Sequence, residues 1–242
     1  MTGRIRCPNA RRRNVRKKLF IGALIGVIAA VGFAAPAQAS PTWLHYVDAK
    51  VSVFHGVPNT PVNVFVNHKE VLANFQPGSF AGPLSLKPGQ YTVSITAASA
   101  TDDTHPVIGP VTLTFLPRGN YTIAAHLTAA GAPTATLFKN TLFPVKHSDG
   151  RVIVRHIAAA PAVDILVNGN PTMRGLTNPH QSIAILPSAT YAFAVALAGT
   201  TAPVIGPANV PVPRGKDTIV YAWGSATGGT LAVAVQTVPL RW

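Results

Sequence analysis

The chemistry open to this 242-residue chain rests on few side chains: eight histidines, seven carboxylates of which Glu70 is the one glutamate, and a single cysteine, Cys7. His55 and His156 end two related strings, Val51-Ser52-Val53-Phe54-His55 and Val152-Ile153-Val154-Arg155-His156. Equivalent imidazoles could bind a ligand or respond to pH. Each shares a strand face with two valines, however, so the expectation is a half-buried ring bonded to neighbouring backbone. Asn63 and Asp164 are equivalent in the same way and are read as outward side chains that hold a turn through backbone N–H groups. Asp102, Asp103 and His105 lie within four residues, a conceivable cation site. The matching stretch Gly199-Thr200-Thr201-Ala202 carries no charge, so a solvated loop is expected there. The remaining histidines (His45, His68, His126, His147, His180) form no His-x3-His spacing, and no metal or cofactor is expected.

Catalytic patterns are sparse. There is no Gly-x-Ser-x-Gly elbow, since Gly224-Ser225 continues into Ala-Thr. Glycoside hydrolysis needs two positioned carboxylates, and few are present. Gly228-Gly229 lacks the lysine of a phosphate loop. The chain is therefore expected to be non-catalytic, with a secreted hydrolase of unconventional site as the alternative. Carbohydrate recognition is a further reading, because exposed aromatic rings stack on sugars. Trp43 and Trp242 are the candidates for it, while Trp223, following Ile219 and Tyr221 at period two, is expected to be buried.

The formal net charge of +13 is concentrated at one end. Eight of the 20 basic residues fall in the first eighteen positions (Arg4, Arg6, Arg11, Arg12, Arg13, Arg16, Lys17, Lys18), leaving 12 against 7 acidic residues downstream. That mild surplus does not point to nucleic acid. The basic start, the apolar run from Leu19 to Phe33 and the small-x-small Ala37-Gln38-Ala39 are the three parts of an export signal. Residues 1–39 are read as a cleaved signal peptide, directing the protein outside the cell or to its surface. An uncleaved segment would be the membrane contact. Cys7 would leave with the signal, so the exported part would contain no disulfide, reactive thiol or Cys-bound metal.

Beyond the signal the sequence repeats. Val62-Asn63-Val64-Phe65-Val66-Asn67 recurs 101 residues later as Val163-Asp164-Ile165-Leu166-Val167-Asn168, and Pro106-Val107-Ile108-Gly109-Pro110 recurs as Pro203-Val204-Ile205-Gly206-Pro207. Pro117-Arg118-Gly119 with Thr122-Ile123 matches Pro213-Arg214-Gly215 with Thr218-Ile219. Within each copy apolar residues alternate with polar or small ones, the period of a half-buried strand, and turn residues recur about every ten positions. The Pro239 within the last alternating run argues against an outer-membrane barrel strand. Two tandem immunoglobulin-like antiparallel β-sandwiches are predicted, over 44–143 and 151–242, joined by a linker at 144–150 that permits limited rocking. Leu86-Lys87-Pro88-Gly89-Gln90-Tyr91 has the form of a tyrosine corner; the second copy, Leu186-Pro187-Ser188-Ala189-Thr190-Tyr191, moves the proline by one place.

The run Val152-Ile153-Val154-Arg155-His156, then Ala158-Ala159-Ala160-Pro161, then Val163-Asp164-Ile165-Leu166-Val167-Asn168-Gly169 resembles a bacterial extracellular module, the domain of unknown function numbered 4397. The first copy departs from it with Asn63 in place of Asp and His68 in place of Gly. The resemblance implies an exported all-β domain, often in tandem, and carries no catalytic residues over. With few charges, such a surface binds through backbone edges, aromatic rings and neutral hydrogen bonds. The expectation is a binding or scaffolding protein of the cell envelope, with wall glycan or another surface protein as partner.

Overall fold

The computed structural model describes residues 47–241, so the expected signal segment, Trp43 and Trp242 lie outside the described residues. Among those described, all regular elements are strands. The first copy contributes β1 (Ala49–His55), β2 (Val62–Val66), β3 (Lys69–Phe75), β4 (Phe80–Leu86), β5 (Gly89–Ala97), β6 (Ile108–Phe115), β7 (Asn120–Leu127) and β8 (Pro133–Lys139). The second contributes β9 (Asp149–His156), β10 (Val163–Val167), β11 (Asn170–Leu176), β12 (Gln181–Pro187), β13 (Ala189–Leu197), β14 (Pro203–Val212), β15 (Lys216–Trp223) and β16 (Ala232–Pro239).

Each copy folds into two four-stranded sheets with the same strand order. Sheets β3-β2-β5-β6 and β4-β1-β7-β8 enclose Val51, Val64, Val93, Ile95, Phe115 and Ile123. Sheets β11-β10-β13-β14 and β12-β9-β15-β16 enclose Val152, Val154, Ile165, Phe193, Val212 and Val220. The predicted all-β sandwich pair is what forms, with most neighbouring strands antiparallel. One pair in each copy is parallel: β1 with β7, and β9 with β15. Both tyrosine corners form as well. Tyr91 Oη donates to the Lys87 carbonyl and Tyr191 Oη to the Pro187 carbonyl, each at 2.9 Å. The displaced proline is harmless because proline keeps its carbonyl.

Strand pairing corrects one sequence match. Val53 opposes Ile123 and Val154 opposes Val220, so the equivalent of Ile123 is Val220 rather than Ile219. The second copy carries one extra residue in the turn after Pro213-Arg214-Gly215. A one-residue slip turns every side chain of a strand to the other face. Ile219 therefore leaves the sandwich core and packs outward.

That outward face is where the two copies meet, and it overturns the expectation of rocking lobes. The described residues form one compact unit. Phe54, Ala124 and Phe138 of the first inner sheet pack with Ile153, Ile157, Ile219, Tyr221 and Val238 of the second in a single buried cluster. The inner sheets of both copies are thus buried on two faces, and the body is four sheets deep. At the centre lies Arg155, wholly buried. Its guanidinium donates to Gln181 Oε1 (2.9 Å), Tyr221 Oη (2.6 Å) and Asn140 Oδ1 (2.7 Å), and lies 4.3 Å over the Phe138 ring. Such pairing is what allows a cation in a core.

Candidate functional site

His55 and His156 are fully buried, more so than expected, and not exposed to solvent. Nε2–H of His55 donates to the Thr60 carbonyl at 2.8 Å, and that of His156 to the Pro161 carbonyl at 2.9 Å. A carbonyl can only accept, so both rings are in the Nε2–H tautomer. Both Nδ1 atoms are buried without a hydrogen-bond partner. Burial lowers both pKa values and outweighs the carbonyl bonds that would raise them.

Asn63 and Asp164 are buried rather than outward, at 4% and 2% exposure, because each sits beneath two loops that it ties together. Asp164 accepts N–H bonds from Gly175 (2.7 Å) and Gly199 (3.0 Å), which together hold its carboxyl below the ordinary range. Asn63 accepts from Asn74 N–H (2.8 Å) but donates to the Ala98 and Ala100 carbonyls. The acid and the amide thus match opposite polarities at corresponding loops.

Asp102, Asp103 and His105 do not converge. Asp102 accepts from the Thr104 hydroxyl (2.7 Å) and backbone N–H (3.0 Å), and these bonds lower its pKa. His105 Nδ1 bonds the Thr104 hydroxyl at 2.9 Å, and Asp103 turns to His68 Nδ1 at 3.0 Å. Among the described residues no group of three or more His, Cys, Asp or Glu is placed to hold a metal. The His68–Asp103 contact joins two features that only the first copy has. His68 takes φ 64° where the second copy has Gly169 at φ 79°, and the acidic loop that faces it has no charged counterpart.

The feature that sequence reasoning missed is a groove of about 480 Å³ at one end of the junction between copies. Pro58, Asn59 and Pro61 come from the β1–β2 loop, Gln76 and Pro77 from the β3–β4 turn, and Trp223 and Thr230 from the second copy. Trp223 is partly exposed, contrary to the expected burial. It follows Ile219 and Tyr221 on the interface face, but the shared core ends there and the indole emerges at its rim.

The groove is held from beneath. His55 carries the β1–β2 loop through Thr60, and its own carbonyl accepts Gly78 N–H at 2.7 Å to anchor the β3–β4 turn. Gly78, at φ 76°, lets that turn approach the indole; a Cβ there would lie 3.0 Å from the Trp223 ring. Phe54 meets Trp223 edge-on at 6.0 Å between centroids. Gln76 Nε2 donates to both oxygens of Asn74, leaving its own Oε1 as an acceptor. The lining has no charged side chain, one indole, two side-chain amides, one hydroxyl and three prolines. Such a surface stacks on a ring and exchanges neutral hydrogen bonds. The only signal for it in the sequence was the proline content of loops that proved to be neighbours.

These features define an all-β body of two fused sandwiches with a neutral groove built by both. Residues 49–166 match the model of the family described as Domain of unknown function (DUF4397), and the chain carries that domain. The match runs from the first residue of β1 into β10, taking in the whole first sandwich and the opening of the second. Comparison with curated proteins finds no match.

Proposed function

We propose that this protein is an exported, non-catalytic binding protein of the cell envelope, and that the inter-copy groove takes a neutral, hydroxyl-rich ligand of the wall-glycan class. The observation that carries this reading is the groove itself: uncharged, with Trp223 at one wall and the amides of Asn59 and Gln76 near it. Support also comes from the fate of the groups that could do chemistry. His55, His156 and Asp164 are tied to backbone partners in structural roles. The export signal at 1–39 supplies the compartment. The second sandwich, with the strand order of the first, is assigned to the same family.

Sedimentation with purified bacterial cell wall tests the proposal. The protein lacking 1–39 co-sediments with the wall, and Trp223→Ala reduces retention by about tenfold, the loss of one stacking aromatic anchor. Protein that stays in the supernatant refutes the binding role. A panel of chromogenic ester, peptide and glycoside substrates tests the non-catalytic part, which turnover abolished by His156→Ala would overturn.

A further inference from the structure

The two sandwiches differ inside. In the first, the space between the open edges of the sheets has shrunk to about 10 Å³, lined by Val93, Ile108, Val111, Leu113, Ile123 and Leu137 among others. At the same place the second holds a hollow of about 250 Å³. The equivalences follow from strand pairing. Tyr91 opposes Leu113 where Tyr191 opposes Val210, and Val93 opposes Val111 where Phe193 opposes Ala208. Ile123 opposes Leu137 where Val220 opposes Val235.

Bulk has therefore moved off the edge strands. Leu113 of β6 and Leu137 of β8 are replaced by Val210 of β14 and Val235 of β16, and Val111 by Ala208. The added bulk of Phe193 lies on β13, one strand in from the edge. In the first copy β6 closes on β8; in the second β14 leans on β15 and β9. Val233 and Val235 consequently remain 39% and 47% exposed, although their side chains line the hollow. A packed interior seldom leaves such a void.

From this contrast we propose that the second sandwich is a binding site for a single unbranched hydrocarbon chain, entered between β14 and β16. The lining is Val154, Ile165, Phe193, Ile205, Val210 and Val220 with neighbouring small residues, and it carries no charge. The volume exceeds the ~150 Å³ of an apolar cavity that takes benzene and falls just short of the ~300 Å³ at which drug-sized pockets begin. A slot between two sheets, about 10 Å apart in ordinary packing, admits a narrow chain rather than a globular partner. The site is independent of the glycan groove.

Titration of the protein lacking 1–39 with n-decanol, n-butanol and decanoic acid tests it, followed by calorimetry. Decanol binds saturably at one site, and affinity rises about fourfold for each methylene added between butanol and decanol. Decanoic acid binding as tightly as decanol assigns recognition to the chain alone, and a preference for either head shows that the entrance between β14 and β16 contributes to it. The double variant Val210→Leu, Val235→Leu restores the first copy's edge residues and lowers decanol affinity at least tenfold while keeping or raising the melting temperature. Trp223→Phe leaves decanol binding unchanged, which separates this site from the groove. Absence of saturable decanol binding, or binding unaffected by the double leucine variant, overturns the proposal.

Discussion

Three buried imidazoles set the protein's response to acid. His55, His126 and His156 all have pKa values lowered by burial; His126 is also held by the Leu127 carbonyl and the Thr136 hydroxyl, each at 2.8 Å. The unfolded chain takes up these protons near pH 6.5 and the folded one only below that, so stability is full above 6.5 and falls as pH drops. Asp217 works in the opposite direction. Buried beside Arg151 at 3.0 Å, it is raised by desolvation to about 6. The folded state then holds a proton that the unfolded state lacks between about 4 and 6, and this group favours folding on acidification. Urea unfolding across pH 4–8 shows a net acid loss, with a slope of at most about 2.7 kcal/mol per pH unit near pH 5, where three protons are opposed by one. Asp217→Asn removes the opposing proton and steepens the slope between pH 4 and 6; an unchanged slope contradicts the assignment. A second residue-scale test exploits the matched pair beneath the loops. Asn63→Asp turns a carboxylate toward the Ala98 and Ala100 carbonyls and costs about 1–3 kcal/mol. Asp164→Asn places an amide donor against backbone N–H groups and lowers the melting temperature too. If either swap is neutral by thermal melting, the polarity argument fails.

At the scale of elements, the strands were legible because their residues alternate. Val62, Val64 and Val66 against Asn63 and Asn67 mark β2 in any reading, and the same pattern marks β10. Their sheet partners were not legible, since pairing depends on contacts far apart in sequence. The misplaced equivalence of Ile123 shows the cost: matching by residue type chose Ile219, whereas the ladder chose Val220 and reversed the faces. Arg155 stands in a valine-rich string, and an arginine there is an anomaly on a strand buried on both faces. Its partners Asn140, Gln181 and Tyr221 lie on three other stretches of chain, so sequence alone could not supply them. Arg155→Ala strands these polar groups and empties the centre of the interface. A loss of about 3–5 kcal/mol in denaturant unfolding is expected, with Arg155→Lys recovering little because one ammonium cannot replace three forked contacts. A loss below 1 kcal/mol would show the network to be dispensable.

For the whole molecule, duplication has produced unlike halves. The first inner sheet offers Phe54, Thr122, Phe138 and Asn140 to the interface, and the second offers Ile153, Arg155, Tyr221 and Gln236. Thr122 donates to Gln236 Oε1 at 3.1 Å, and Asn178 reaches across to the Leu127 carbonyl at 2.8 Å. The faces complement each other rather than themselves, so thermal unfolding occurs in one transition, whereas separate melting of the copies would contradict a shared core. The groove exists only because they are joined, which is also why no repeat-by-repeat reading of the sequence could find it. The proposed glycan binding rests on that joint construction, and Trp223 is its reporter. The most direct measurement is the difference in tryptophan emission between the wild type and Trp223→Phe during titration with soluble wall-glycan fragments. Saturable quenching confined to the Trp223 component is the predicted result; emission from Trp223 that stays constant at millimolar glycan would contradict the proposed role of the groove.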